Sequence, residues 1–184
     1  EIRDKLLELA HVSEPEYTVV LMQGSGTFGV ESVITSTVGS DEKLLIAANG
    51  SYGRRMADIA EHAGINYRLY EVNYNEIPDA KRIAEILEED PEVTHVSMVH
   101  SETTSGILND IASVSKVVKA AGRTMIVDAM SSFGGVDIPV GELGIDFIIS
   151  SANNCIQGVP GFSFIICKKD SLMASKGKAR SLSL

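Results

Sequence analysis

Residues 95–128, HVSMVHSETTSGILNDIASVSKVVKAAGRTMIVD, decide the fold. An apolar run (His95–His100) leads through a polar turn into a helical pattern (Asp110–Ala121). Gly122 is placed to cap that helix, and a second apolar run follows at Thr124–Asp128. This is one β-α-β unit, and short apolar runs of this kind belong to a parallel sheet buried on both faces. The same alternation continues outward in both directions. Further strands are expected at Thr18–Met22, Lys43–Ala47, Tyr67–Glu71, Asp146–Ser150 and Phe162–Cys167. Helices are expected at Ile2–His11, Thr27–Val38, Tyr52–His62 and Asp79–Glu88, with a short turn near Val140–Leu143. The expectation is a single α/β domain over residues 1–184 with a mainly parallel seven-stranded sheet, since no linker, repeat or low-complexity stretch interrupts the pattern.

A formal net charge of -9 argues against a nucleic-acid or anionic-membrane partner. The basic cluster Lys176, Lys178 and Arg180 reads as a solvated tail. Cys155 and Cys167 sit in no metal-ligand or disulfide pattern, so no metal is expected and a reducing cytoplasm fits. No apolar run approaches the roughly 20 residues of a membrane span. The chain opens inside a helical pattern and closes at RSLSL, so both ends read as cuts through a longer protein.

In sheets of this kind ligands bind beyond the carboxyl ends of the strands, so the runs that follow strands matter most. Gln23-Gly24-Ser25-Gly26-Thr27 opens a helix and fits either a phosphate cradle or a plain turn with Thr27 as N-cap. Asn49-Gly50-Ser51-Tyr52-Gly53-Arg54 puts Tyr52 at a cleft edge, free to stack on a planar ligand; alternatively it is a turn with Asn49 and Gly50 at positive φ. His100–Gly106 concentrates hydroxyls at a strand end, with His100 read as a hydrogen-bonded buried histidine. Asp128 ends an apolar strand as a lone carboxylate that needs a cation or several donors, and a pyridinium nitrogen would be one such cation. An Asp capping the next turn is the alternative there. Ser151-Ala152-Asn153-Asn154-Cys155 brings a polar pair to the same edge, with Cys155 read as a small buried hydrophobe.

Together the runs QGSGTFGVE, NGSYGRR, MVHSETTSGILN, IVDAMSSFGG, ISSAN, CIQGVPGF and KGKARSLSL resemble the class V branch of fold-type-I pyridoxal-phosphate aminotransferases. The likeness is greatest to those members that act on 2-aminoethylphosphonate and pyruvate. It covers nearly the whole chain. It implies the three-layer αβα large, cofactor-binding domain of that fold, with an N-terminal segment and a C-terminal small domain lying outside this sequence. It implies pyridoxal 5'-phosphate as cofactor, a small-molecule amino donor and a 2-oxo acid as substrates, and a homodimer for the full-length protein. By the same resemblance Ser25, Gly26 and Thr27 hold the cofactor phosphate with Ser151 nearby, and Tyr52 stacks on the ring. Thr103 approaches the ring hydroxyl, Asp128 pairs with the pyridinium nitrogen, and Asn153 lies beside the cofactor. Asn154, twenty-six residues after Asp128, stands where the family carries its Schiff-base lysine. Asparagine has neither a nucleophilic amine nor useful basicity, so this chain is expected to be catalytically dead. Lys168 and Lys169, beyond a further strand, are not expected to substitute. Retention of the other contacts favours a deliberate replacement of that lysine. The alternatives are another class V aminotransferase, of the alanine:glyoxylate or serine:pyruvate type, or a non-catalytic cofactor-binding pseudoenzyme.

Overall fold

A computed structural model describes residues 1–180; the last four residues of the KGKARSLSL run lie outside them. The elements in chain order are α1 (Ile2–Leu9), β1 (Tyr17–Gln23), α2 (Gly26–Thr37), β2 (Lys43–Ala48), α3 (Ser51–His62), β3 (Tyr67–Glu71), α4 (Ala80–Glu89) and β4 (Val93–Val99). They continue with β5 (Ser101–Glu102), β6 (Ile107–Leu108), α5 (Ile111–Ala120), β7 (Thr124–Asp128), α6 (Val140–Leu143), β8 (Phe147–Ser151), β9 (Phe162–Lys168) and α7 (Lys169–Ala174).

Seven strands form one sheet in the order β1-β9-β8-β7-β4-β2-β3. The β2–β3, β2–β4, β4–β7 and β7–β8 pairs are parallel, while β9 runs antiparallel to both of its neighbours. With only β9 reversed, six strands deliver their carboxyl ends to one edge. Helices α1, α4 and α5 cover one face through Leu7, Ile83, Ile86, Val114 and Val118. Helices α2, α3 and α7 cover the other through Val33, Ile34, Met56, Ala60 and Leu172, giving three layers. The central strands are mainly apolar because both of their faces are covered: Val96, Met98, Met125, Ile126 and Val127 are all fully buried.

Several boundaries differ from the sequence expectation for local reasons. Helix α1 stops at Leu9 instead of His11, because His11 takes a positive φ of 55°. Helix α2 begins one residue early, with Ser25 as N-cap accepting from Phe28 N at 3.3 Å, so Thr27 lies inside the first turn and is not the cap. Strand β4 spans Val93–Val99, and His100 instead enters the short β5–β6 hairpin. Asp146 stays outside β8: its side chain accepts from Met125 N at 2.8 Å and from Lys119 Nζ at 2.6 Å. Asp79 and Asp110 cap α4 and α5, accepting from Lys81 N at 3.0 Å and Ser113 N at 2.9 Å.

Candidate active site

At the carboxyl edge, β1 hands over to α2 through Gly24, whose φ of 138° suits glycine. Gly24 N donates to Gly161 O at 3.0 Å, which ties this turn to the loop between β8 and β9. A Cβ at Gly26 would lie 2.2 Å from Met130 Sδ, so the missing side chain is what lets the loop after β7 lie across the start of α2. Thr27 Oγ1 accepts from Arg55 Nη1 at 3.3 Å, and the Arg55 guanidinium carbon lies 5.4 Å from the centre of the Tyr52 ring. Tyr52 projects from the first turn of α3 and is 39% exposed, leaving ring surface available to a ligand.

Asp128 ends β7 almost fully buried. Among the described residues it accepts one hydrogen bond, from Met130 N to Oδ1 at 2.9 Å. Burial pushes its carboxyl up to about 6; the Met130 N–H opposes the rise and the nearby Glu102 charge adds to it. His100 is buried against Ser132, with Nδ1 2.9 Å from Oγ, and burial holds its imidazole below the usual range. It is the hydrogen-bonded strand-end histidine expected from the sequence. Asn154 Nδ2 donates to Met130 O at 2.9 Å and to Ser151 Oγ at 3.2 Å.

These segments enclose one cavity of about 330 Å³ lined by Thr27, Tyr52, Arg55, Thr103, Asp128, Met130 and Asn154, among others. An adjoining space of about 520 Å³ is lined by Ser25, Gly26, Ser151 and Asn153, and it shares Thr27, Tyr52, Arg55, Met130 and Asn154 with the first. All nine residues singled out from the sequence therefore lie on one connected cleft, although Thr27 and Asn154 are 127 positions apart. Lys168 ends β9 and Lys169 opens α7, paired with Glu16 and Glu14 at the end of the strand opposite the cleft.

Two local expectations are corrected. Gly50 does not take positive φ, since its φ of -178° is ordinary extended backbone; what requires glycine there is steric. Cys155 is exposed, with Sγ directed at Ser131 O, because the loop carrying it runs over the surface. Sequence reasoning missed Arg55, Met130 and Glu102. Arg55 had a signal, for it follows Tyr52 by three positions on a helix and so shares its face.

Residues 1–178 match the family described as Aminotransferase class-V. The chain is 54% identical over 183 residues to the 2-aminoethylphosphonate--pyruvate transaminase of Lysinibacillus sphaericus strain C3-41, an alignment covering 100% of this chain and 50% of that protein. It is 52% identical over 184 residues to the protein of that name from Bacillus cereus strain G9842, with the same coverage. Among solved structures, pyridoxamine-pyruvate aminotransferase from Mesorhizobium loti superposes with a TM-score of 0.89 at 29% identity, covering 97% of this chain and 45% of that one. Alanine--glyoxylate aminotransferase from Nostoc sp. gives 0.86 at 24%, covering 96% and 46%, a likeness of fold alone. The chain belongs to the class V aminotransferase family. It spans about half the length of the curated relatives it matches. Among the described residues no helix is long and apolar enough to cross a membrane.

Proposed function

We propose that this chain is the cofactor-binding large domain of a cytoplasmic, homodimeric, pyridoxal-phosphate-dependent transaminase. Its full-length, lysine-bearing form moves the amino group of 2-aminoethylphosphonate to pyruvate, giving phosphonoacetaldehyde and alanine. The observation that carries the reading is the meeting of Thr27, Tyr52, Thr103, Asp128 and Asn154 at one cavity. The relatives named for that reaction support the choice of substrates over the alanine:glyoxylate type, to whose Nostoc sp. member the likeness is one of fold.

The donor set fits the cofactor. Among the described residues Asp128 is the only carboxylate lining either space and its charge is buried without a paired cation, so a pyridinium nitrogen would be a compensating partner. Arg55 is the only cation among the described residues lining either space, and it stands beside Thr27 and the start of α2, where a phosphate would gain from both charge and N–H groups. When bound, pyridoxal phosphate supplies an electron-accepting ring. Ser25, Gly26, Thr27 and Ser151 would hold the phosphate, Tyr52 would cover a ring face, and Thr103 would orient the ring hydroxyl. Asp128 would keep the ring nitrogen protonated, and Asn153 would lie beside the ring. The Asn154 amide can donate hydrogen bonds, as it does to Met130 O, but cannot carry a proton at neutral pH or attack a carbonyl. The chain therefore binds without turnover.

Equilibrium dialysis of pyridoxal phosphate against this chain, before and after borohydride treatment, tests the reading. Reversible binding with no covalent retention is expected. Absence of binding, or covalent retention at any residue, would contradict it.

A further inference from the structure

Helix α3 starts behind Gly50, which has no side chain to cap it, so its first N–H groups need acceptors from elsewhere. Glu102, fully buried at 0% exposure, supplies them from a distant turn. Its Oε2 accepts from Tyr52 N at 3.1 Å and Gly53 N at 3.2 Å. Its Oε1 accepts from Thr104 N at 3.3 Å and Thr104 Oγ1 at 2.6 Å. Thr104 Oγ1 accepts in turn from Ser51 N at 3.1 Å, so three successive N–H groups of α3 are satisfied by this one turn. Four donors at the positive end of a twelve-residue helix thus surround the buried carboxylate in place of a cation.

The contact requires glycine at position 50. A Cβ there would lie 2.3 Å from Glu102 Cγ and 2.7 Å from Thr104 Oγ1. The two residues joined by the contact face the cleft: Tyr52 gives Glu102 its N–H, and Thr103 sits between Glu102 and Thr104. Glu102 itself is not among the residues lining the cavity.

We propose that Glu102 is a positioning residue that locks Tyr52 and Thr103 at a fixed spacing across the cleft, so that a planar aromatic ligand meets a preformed face and edge. This deepens the cofactor reading above and rests on it. The negative charge of Glu102 also adds to the burial that pushes Asp128 up, which links it to the cleft electrostatically as well.

A double-mutant cycle on the chain with pyridoxal phosphate as probe separates positioning from plain structural support. In Glu102→Met the volume is nearly kept, but both acceptor oxygens are lost, so the Tyr52, Gly53 and Thr104 N–H groups lose their partner. Binding should weaken about tenfold with Tyr52 present, the scale of one lost hydrogen bond, and by under about twofold in the Tyr52→Ala background. An equal loss in both backgrounds, or none with Tyr52 present, overturns the positioning role. Amide hydrogen exchange without ligand reads the lock independently of the cofactor: the Tyr52 and Gly53 N–H groups should exchange at least about tenfold faster in Glu102→Met, with β7 unchanged. Unchanged protection at both amides overturns the lock. Gly50→Ala drives a Cβ into Glu102 and should reproduce both effects without altering the carboxylate; if it reproduces neither, the lock is overturned as well. Failure of the unsubstituted chain to bind the probe overturns the cofactor reading and ring positioning together, and the exchange result distinguishes that outcome from a failed lock.

Discussion

Replacing Asp128 with asparagine should make the ligand-free chain more stable at neutral pH while weakening its hold on the cofactor. The carboxyl is almost fully buried, accepts one N–H, and titrates near 6 in the fold against an ordinary 3.8. At about 1.36 kcal/mol for each tenfold, that interval places a ceiling of about 3 kcal/mol on what the buried charge costs. The sign follows from proton binding. Between 3.8 and about 6 the folded chain holds a proton on Asp128 that the unfolded chain has released, so this group's contribution falls as pH rises through the window and stays at its low value above it. Asparagine carries no charge and can keep the acceptor for Met130 N. Urea unfolding at pH 7.5 should then show Asp128→Asn more stable by about 1–3 kcal/mol, with the difference shrinking toward zero near pH 4. Buried His95 titrates near 4 and contributes a slope of opposite sign over the same range, because a neutral buried imidazole is lost to protonation as pH falls. That slope is common to both proteins and drops out of their difference. An Asp128→Asn variant less stable than the unsubstituted chain at pH 7.5, or a difference that does not change with pH, would refute the reasoning.

Asn154→Lys should convert reversible cofactor binding into retention after borohydride and dialysis, read by mass spectrometry. In a full-length protein the same change should raise alanine formation from 2-aminoethylphosphonate and pyruvate by at least about 10²-fold, and adding Asp128→Ala should abolish the gain. Tyr52→Ala should weaken pyridoxal phosphate about tenfold, measured by dialysis, with little change in melting temperature because the ring is 39% exposed. Gly53→Ala should lower stability by about 1–3 kcal/mol in urea unfolding, since its Cβ would lie 2.6 Å from Ala48 Cβ and 2.9 Å from the Ala48 backbone.

The sheet was legible because its central strands are short, mainly apolar runs, and because Asp79, Asp110 and Gly122 mark helix ends in the sequence itself. All seven sheet strands were found, with boundaries off by two residues at the start of β4 and by one at β8, where the Asp146 side chain makes hydrogen bonds of its own. The β5–β6 hairpin was not legible, since two-residue strands carry no period. Helix α7 is short and buries none of its residues fully, so no amphipathic signal announced it. In the cleft, the expected contacts follow strands and could be placed by that rule alone. Glu102 could not, because a carboxylate among serines and threonines reads as a solvated loop until its neighbours across space are known. Gly50 was attributed to backbone conformation for the same reason: the atom that excludes a side chain there belongs to residue 102.

The strand order carries a consequence for how the cleft comes into being. Thr103, Asp128 and Asn154 follow β4, β7 and β8, which are adjacent in the sheet, while Thr27 and Tyr52 enter from helices on one face. No contiguous segment shorter than the span from Thr27 to Asn154 holds all five, so the cleft has no cooperative unit of its own that could form ahead of the sheet. Its assembly waits on the long-range pairings that are the slowest to close. A ligand that needs all five residues would therefore report on completed folding. Titrating it during refolding should reveal binding sites at the rate of the final step, and each tenfold of ligand above its dissociation constant should add about 1.4 kcal/mol to the stability of the whole domain rather than to one loop.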